Sequence, residues 1–179
     1  PIIERLLIEK GGKYVPNDIY LGPDRSNLLY GVNSVGKSSL LKSIAISIIM
    51  AQSGLFVPAS KCQISPYNYL FTRILGNDNI FKGLSTFAVE MTELRNILNR
   101  ADQNSLILGD EICHGTETSS AISIVVAAIQ HLSEVSASFI FATHLHQISD
   151  MSEILEIKNL LQYHITVHYD KINDKIVYD

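Results

Sequence analysis

The sequence predicts an α/β domain with a mainly parallel central sheet flanked by helices. Short apolar runs alternate with stretches whose apolar residues recur at helical spacing, which is the signature of successive strand–helix units. Two runs, at 105–109 and 138–142, are apolar almost throughout, as buried strands are. Polar residues gather just beyond the C-terminal ends of these runs, where open parallel sheets bind their ligands.

The elements follow in chain order. Leu28-Leu-Tyr30 reads as a short strand entering a glycine-containing turn. Leu40, Leu41, Ile44 and Ile48 share one face of a first helix, and Phe87, Met91, Leu94 and Leu98 repeat at the spacing of a second. Ser105-Leu-Ile-Leu-Gly109 is a buried strand that ends at two acids, Asp110 and Glu111. Ile122, Val125, Val126 and Ile129 mark a third helix, and Ser138-Phe-Ile-Phe-Ala142 is a strand ending at Thr143-His144. The tail from 163 to 178 is β-rich, with a turn at Asn173-Asp174 that adds antiparallel β at the end.

Composition sets the outer bounds. A chain of 179 residues suits one domain, 1–179, around one core. With 46% hydrophobic and 18% charged residues it is too apolar to be a disordered segment. The longest apolar stretch, 44–51, is interrupted by Ser47 and is too short to cross a bilayer. Glu4, Arg5, Glu9 and Lys10 break the N-terminus as a signal peptide. No membrane partner is expected. Cys62 and Cys113 stand apart, which reads as a reduced, intracellular setting. The net charge is −4 and no dense basic cluster occurs, so any grip on DNA is expected from other parts of the protein. The chain begins at Pro1 and ends in a strand-like tail, which reads as a piece of a longer polypeptide.

The chemistry begins at Gly31-Val-Asn-Ser-Val-Gly36-Lys37-Ser38. This segment fits G-x-x-x-x-G-K-[ST] at every required position, between a predicted strand and a predicted helix. Glycines admit backbone conformations that let phosphates approach closely. The loop's N–H groups and the helix N-terminus face the anion. Lys37 supplies a point charge, and the Ser38 hydroxyl is short enough to ligate Mg²⁺. The nucleotide-binding set is Gly31, Asn33, Ser34, Val35, Gly36, Lys37, Ser38 and Ser39, and the ligands expected are ATP and Mg²⁺. Asp110, at a strand end beside such a loop, is expected to hold Mg²⁺ with Ser38. Glu111, pointing differently, is placed to polarise the attacking water. His144 ends the next buried strand and can hydrogen-bond the γ-phosphate or that water. Lys37, Glu111 and His144 are therefore the catalytic candidates. The pairs His144/His146 and His164/His168 lack a third ligand in the sequence, and no zinc site is expected.

Taken together, these residues resemble the C-terminal ATPase domain of the MutS family of DNA mismatch-repair proteins, which are ABC-type P-loop ATPases. The likeness runs in order through Val15-Pro-Asn17-Asp18-Ile19, the phosphate loop, Phe56-Val-Pro-Ala59 and Phe71-Thr-Arg73. It continues through Gly83-Leu-Ser85-Thr86-Phe87-Ala-Val-Glu90-Met91-Thr-Glu93, Asp110-Glu111 with Gly115-Thr116, and Ala142-Thr143-His144. The resemblance implies ATP sandwiched between two copies of the domain, the second contributing Ser85 and the N-terminus of its helix in trans. It places Tyr14 on the adenine, with Val15 beside it, and Gly115-Thr116 across the same interface. It also implies a parent protein whose ATP hydrolysis drives a DNA-binding clamp in mismatch repair or related DNA maintenance, reaching DNA through other domains. The isolated piece is expected to be monomeric or weakly dimeric and slow. Val32, Ser34, Val35 and Ser39 replace the family's usual Pro, Met, Gly and Thr, and Cys113-His114 replaces its Gly-Arg. These departures suggest a divergent branch. The alternatives are an ATP-operated dimerisation module with negligible hydrolysis and another ABC-type ATPase of chromosome maintenance. A transporter motor or a P-loop kinase fits less well. Gly83-Leu-Ser-Thr-Phe87 differs from the Leu-Ser-Gly-Gly-Gln signature of transporter motors, and no acceptor site for a kinase is visible.

Overall fold

A computed structural model describes residues 9, 15–22, 25–31, 35–74, 86–113, 116–165, 167–170 and 175–178. The central sheet has five strands: β1 (Ser26–Tyr30), β2 (Tyr69–Arg73), β3 (Ser105–Asp110), β4 (Ser138–Thr143) and β5 (Leu160–His164). All of them run parallel, in the order β2-β3-β4-β1-β5. Parallel neighbours need crossovers. Three of these are the helices α1 (Lys37–Gln52), α2 (Thr86–Arg100) and α3 (Thr118–Glu134). A 3-10 turn (His146–Asp150) and the short α4 (Ser152–Leu155) lead into β5. The strands β6 (Val167–Asp170) and β7 (Lys175–Tyr178) form a separate antiparallel pair. The turn expected at Asn173-Asp174 lies outside the described residues. The sequence-predicted α/β class with a parallel core and terminal antiparallel β is the one found.

The core is split by the sheet, as the alternation of strand side chains requires. Leu28, Tyr30, Ile107, Phe139 and Phe141 face α2 and α3, packing with Leu94, Ile97, Val125, Ile129 and Leu132. Leu29, Leu106, Leu108, Ile140 and Ala142 face the other way, against Leu41, Ile44 and Ala45 of α1. Helices thus cover both faces. This explains why β1, β3 and β4 are buried along their whole length and read as continuous apolar runs. Each large side chain so buried contributes about 1.5–3 kcal/mol, and that packing holds the strand ends in register. β2 sits at one edge and is only partly buried.

Candidate functional site

Strand register assembles the site. Tyr30, the last residue of β1, lies beside Thr143, and Asp110, the last of β3, lies beside Ala142. The ends of β1, β4 and β3 therefore form one rim, and the residues that follow them meet there.

At the β1 end, Gly31 is a close-approach position. A Cβ there would stand 3.0 Å from the Val35 side chain and 3.3 Å from the Ile165 carbonyl oxygen. Gly36 precedes α1 with φ of 101°, in the left-handed region that favours glycine. Its carbonyl already accepts the Leu40 N–H at 2.9 Å. Lys37 opens the helix and is only 4% exposed. Its ammonium donates to the Gly31 carbonyl at 2.6 Å and lies 3.7 Å from Glu111 Oε1. Ser38 is half-buried in the first turn of α1, Ser39 is exposed, and Val35 is buried. Val15 is half-buried, its carbonyl accepting from Asn17 Nδ2 at 3.3 Å. Tyr14, Asn33, Ser34 and Ser85, named from the sequence as nucleotide contacts, lie outside the described residues, as do His114 and Gly115.

At the β3 end, Asp110 is 1% exposed, and neither carboxylate oxygen has a hydrogen-bond partner among the described residues. A carboxylate held out of water without hydrogen bonds is costly unless another charge answers it. Glu111 follows with φ of 47°, a conformation that costs a side-chain-bearing residue on the order of 1–3 kcal/mol and recurs at functional sites. Its N–H donates to the Ala142 carbonyl at 2.9 Å, tying the turn to β4.

At the β4 end, the Thr143 hydroxyl accepts the Leu145 N–H at 3.0 Å and shapes the bend that presents His144. His144 Nδ1 lies 3.7 Å from the same Glu111 Oε1 that Lys37 approaches. One carboxylate oxygen is thus flanked by an ammonium and an imidazole, each slightly beyond hydrogen-bond length. The three catalytic candidates named from sequence come together, with Asp110 immediately behind them.

Sequence reasoning missed two things here. Tyr30, buried beneath the rim, has its phenol held well above its ordinary range by burial and then by Asp150. It stacks on His146 at 6.0 Å, and His146 in turn lies 5.9 Å from the His164 ring. Arg73, at the end of β2, pairs with Glu90 and Glu93 of α2. Only its place in the Phe71-Thr-Arg73 segment of the family likeness pointed to it.

Comparison with known proteins now bears on this geometry. The family model described as MutS domain V matches residues 27–179. The chain belongs to the MutS family. It is 48% identical over 155 residues to a DNA mismatch repair protein mutS homolog of Acanthamoeba polyphaga mimivirus, covering 85% of this chain and 14% of that protein. It is 41% identical over 179 residues to the mitochondrial DNA mismatch repair protein mutS homolog of Sarcophyton glaucum, covering all of this chain and 17% of that one. It is 42% identical over 163 residues to the DNA mismatch repair protein MutS of Geobacillus sp. strain WCH70, covering 89% and 19%. The chain thus spans less than a fifth of the length of these MutS relatives. The divergent branch expected from Val32, Ser34, Val35, Ser39 and Cys113-His114 is corrected. MutS domain V matches through to the end of the chain, and identity to a bacterial MutS reaches 42%. The substituted positions therefore do not set this chain apart. They spare Gly31, Gly36, Lys37 and Ser38, the positions that the phosphate-loop motif requires.

Proposed function

We propose that this chain is the ATP-hydrolysing module of a MutS-type DNA mismatch-repair protein. The observation that carries the reading is the convergence of Lys37 and His144 on one oxygen of Glu111, next in the chain to the buried carboxylate of Asp110, which has no hydrogen bond from the described residues. Asp110 fits a hard cation, because its oxygens are desolvated and free of hydrogen bonds from the described residues. With Ser38 it would hold Mg²⁺, which when bound neutralises charge on phosphate oxygens.

The chain's own residues supply the rest. The N–H groups opening α1 and the Lys37 ammonium bind the phosphates. Glu111 accepts the proton of a water as that water's oxygen bonds to the γ-phosphorus. The bond from that phosphorus to the β–γ bridging oxygen breaks, leaving ADP. His144 orients the water or the transferred phosphate, and Lys37 balances the negative charge developing beside Glu111. Tyr14 and Val15 take the adenine side. A second copy of the domain faces the nucleotide with Ser85 and the N-terminus of α2. DNA is held by other regions of the parent, in keeping with the net charge of −4. No helix among the described residues is long and apolar enough to cross a membrane.

Glu111→Gln tests the reading. It should keep Mg-ATP affinity while lowering single-turnover hydrolysis by roughly 10²- to 10⁴-fold. Equal hydrolysis by the variant and the unmodified chain would favour the nucleotide-operated assembly module instead.

A further inference from the structure

Away from the phosphate loop, a partly buried ion pair joins β2 to α2. Arg73 closes β2 and lies directly opposite Gly109, the residue before Asp110. Its Nη2 donates to Glu90 Oε1 at 2.9 Å, and its Nε lies 3.0 Å from Glu93 Oε2. Glu90 is 2% exposed and Glu93 about half exposed. The two acids stand three residues apart on α2, so one guanidinium reaches both. Glu90 also bears on the turn after β3. Burial first, and the Glu90 carboxylate second, push the Cys113 thiol up to about 11. Ile112 and Cys113 share the core cluster with Leu94 of α2, against which Met91 packs. Cys113 itself has φ of 68°, and Glu111, two residues earlier, 47°. Two left-handed side-chain residues so close together persist only where their surroundings over-determine them.

We propose that Arg73 and Glu90 are a positioning pair that locks α2 to the turn bearing Glu111, so that helix and turn shift as one body. Neither residue touches substrate; both act through the placement of Glu111. The importance of this rests on the proposed function, in which the N-terminus of α2 meets the nucleotide of a second copy. The pair then joins a copy's own base to the element it offers its neighbour.

Hydrogen exchange followed by mass spectrometry on the unmodified chain, Glu90→Gln and Arg73→Lys, without nucleotide, reads the lock directly. Glu90→Gln should speed exchange about tenfold in both residues 110–113 and the first turns of α2, while β1 and β4 keep their protection. Arg73→Lys keeps the charge but loses the fork, and should show the same paired pattern with a smaller rise. Turnover by Glu90→Gln should fall by about tenfold with Mg-ATP affinity within roughly twofold. Loosening of α2 with an unaltered 110–113 segment, or unaltered turnover in a folded Glu90→Gln chain, overturns the proposal. If Glu90→Gln does not fold, Arg73→Lys decides by whether the two segments loosen together. If the unmodified chain hydrolyses no ATP, it is the proposed function that fails, and the exchange arm still judges the lock.

Discussion

Two turns leave the same rim of the sheet, and they enter the left-handed region in different ways. The turn after β1 does so at Gly36, where no heavy atom of the described residues beyond its chain neighbours stands within 4 Å of the place a Cβ would occupy. The turn after β3 does so at Glu111 and Cys113, both of which carry side chains. At Gly36 glycine takes the left-handed conformation at no steric cost. The second turn presents a carboxylate, so it cannot use glycine at Glu111 and must carry the strain. Among the described residues, the side-chain-bearing left-handed positions at this rim lie in the turn after β3, at Glu111 and Cys113.

Three substitutions sharpen or break that contrast. The largest effect is expected from Lys37→Ala, which removes the buried ammonium linking the two turns. Mg-ATP affinity measured by titration calorimetry should fall roughly 100-fold or more, as truncation of a buried, hydrogen-bonded charge does. Unchanged affinity would remove the first turn from the site. Next comes Gly36→Ala. With no described residue crowding the added Cβ, the backbone cost dominates, and urea unfolding should show a loss of about 1–2 kcal/mol. A neutral result would mean the loop relaxes to another conformation. Smallest is Cys113→Gly. Relief of the left-handed strain opposes the lost thiol burial and the greater freedom of glycine when unfolded, so stability should stay within about 1 kcal/mol. A loss beyond about 2 kcal/mol would show that packing within the core cluster, more than backbone geometry, sets this turn.

How much of this was legible in the sequence depended on whether a residue's role is local. β1, β3 and β4 were legible because burial on both faces gives each an uninterrupted apolar stretch, Leu28-Leu-Tyr30, Leu106-Ile-Leu108 and Phe139-Ile-Phe-Ala142. The three long helices were legible from spacing alone. β2 was not identified as a strand. At the sheet edge its burial is partial, and its apolar run, Tyr69-Leu-Phe71, is short and has no phosphate-loop motif after it to mark it, unlike Leu28-Leu-Tyr30. The 3-10 turn and α4 are too short to show a period. In the site, Gly36, Lys37 and Ser38 were legible because a phosphate loop works within one contiguous stretch. The meeting of Glu111 with His144 was anticipated only as strand ends sharing an edge. Its geometry depends on the pairing of Asp110 with Ala142, which no local pattern encodes. Arg73 and Glu90 were less legible still, since their contact requires β2 to lie beside β3.

The order of strands in the sheet has a consequence for how the molecule is made. β1 is flanked by β4 and β5, the last two strands of the sheet to leave the ribosome. The Ser26 hydroxyl donates to the carbonyl of Ala137, 111 positions further along. Through most of synthesis the strand that aims the phosphate loop has no neighbour to pair with, while β2 and β3 can already zip together. The rim where the ends of β1, β3 and β4 meet is therefore among the last features to acquire its shape, and on the proposed function a nascent chain halted before β4 would not bind ATP however intact its motif.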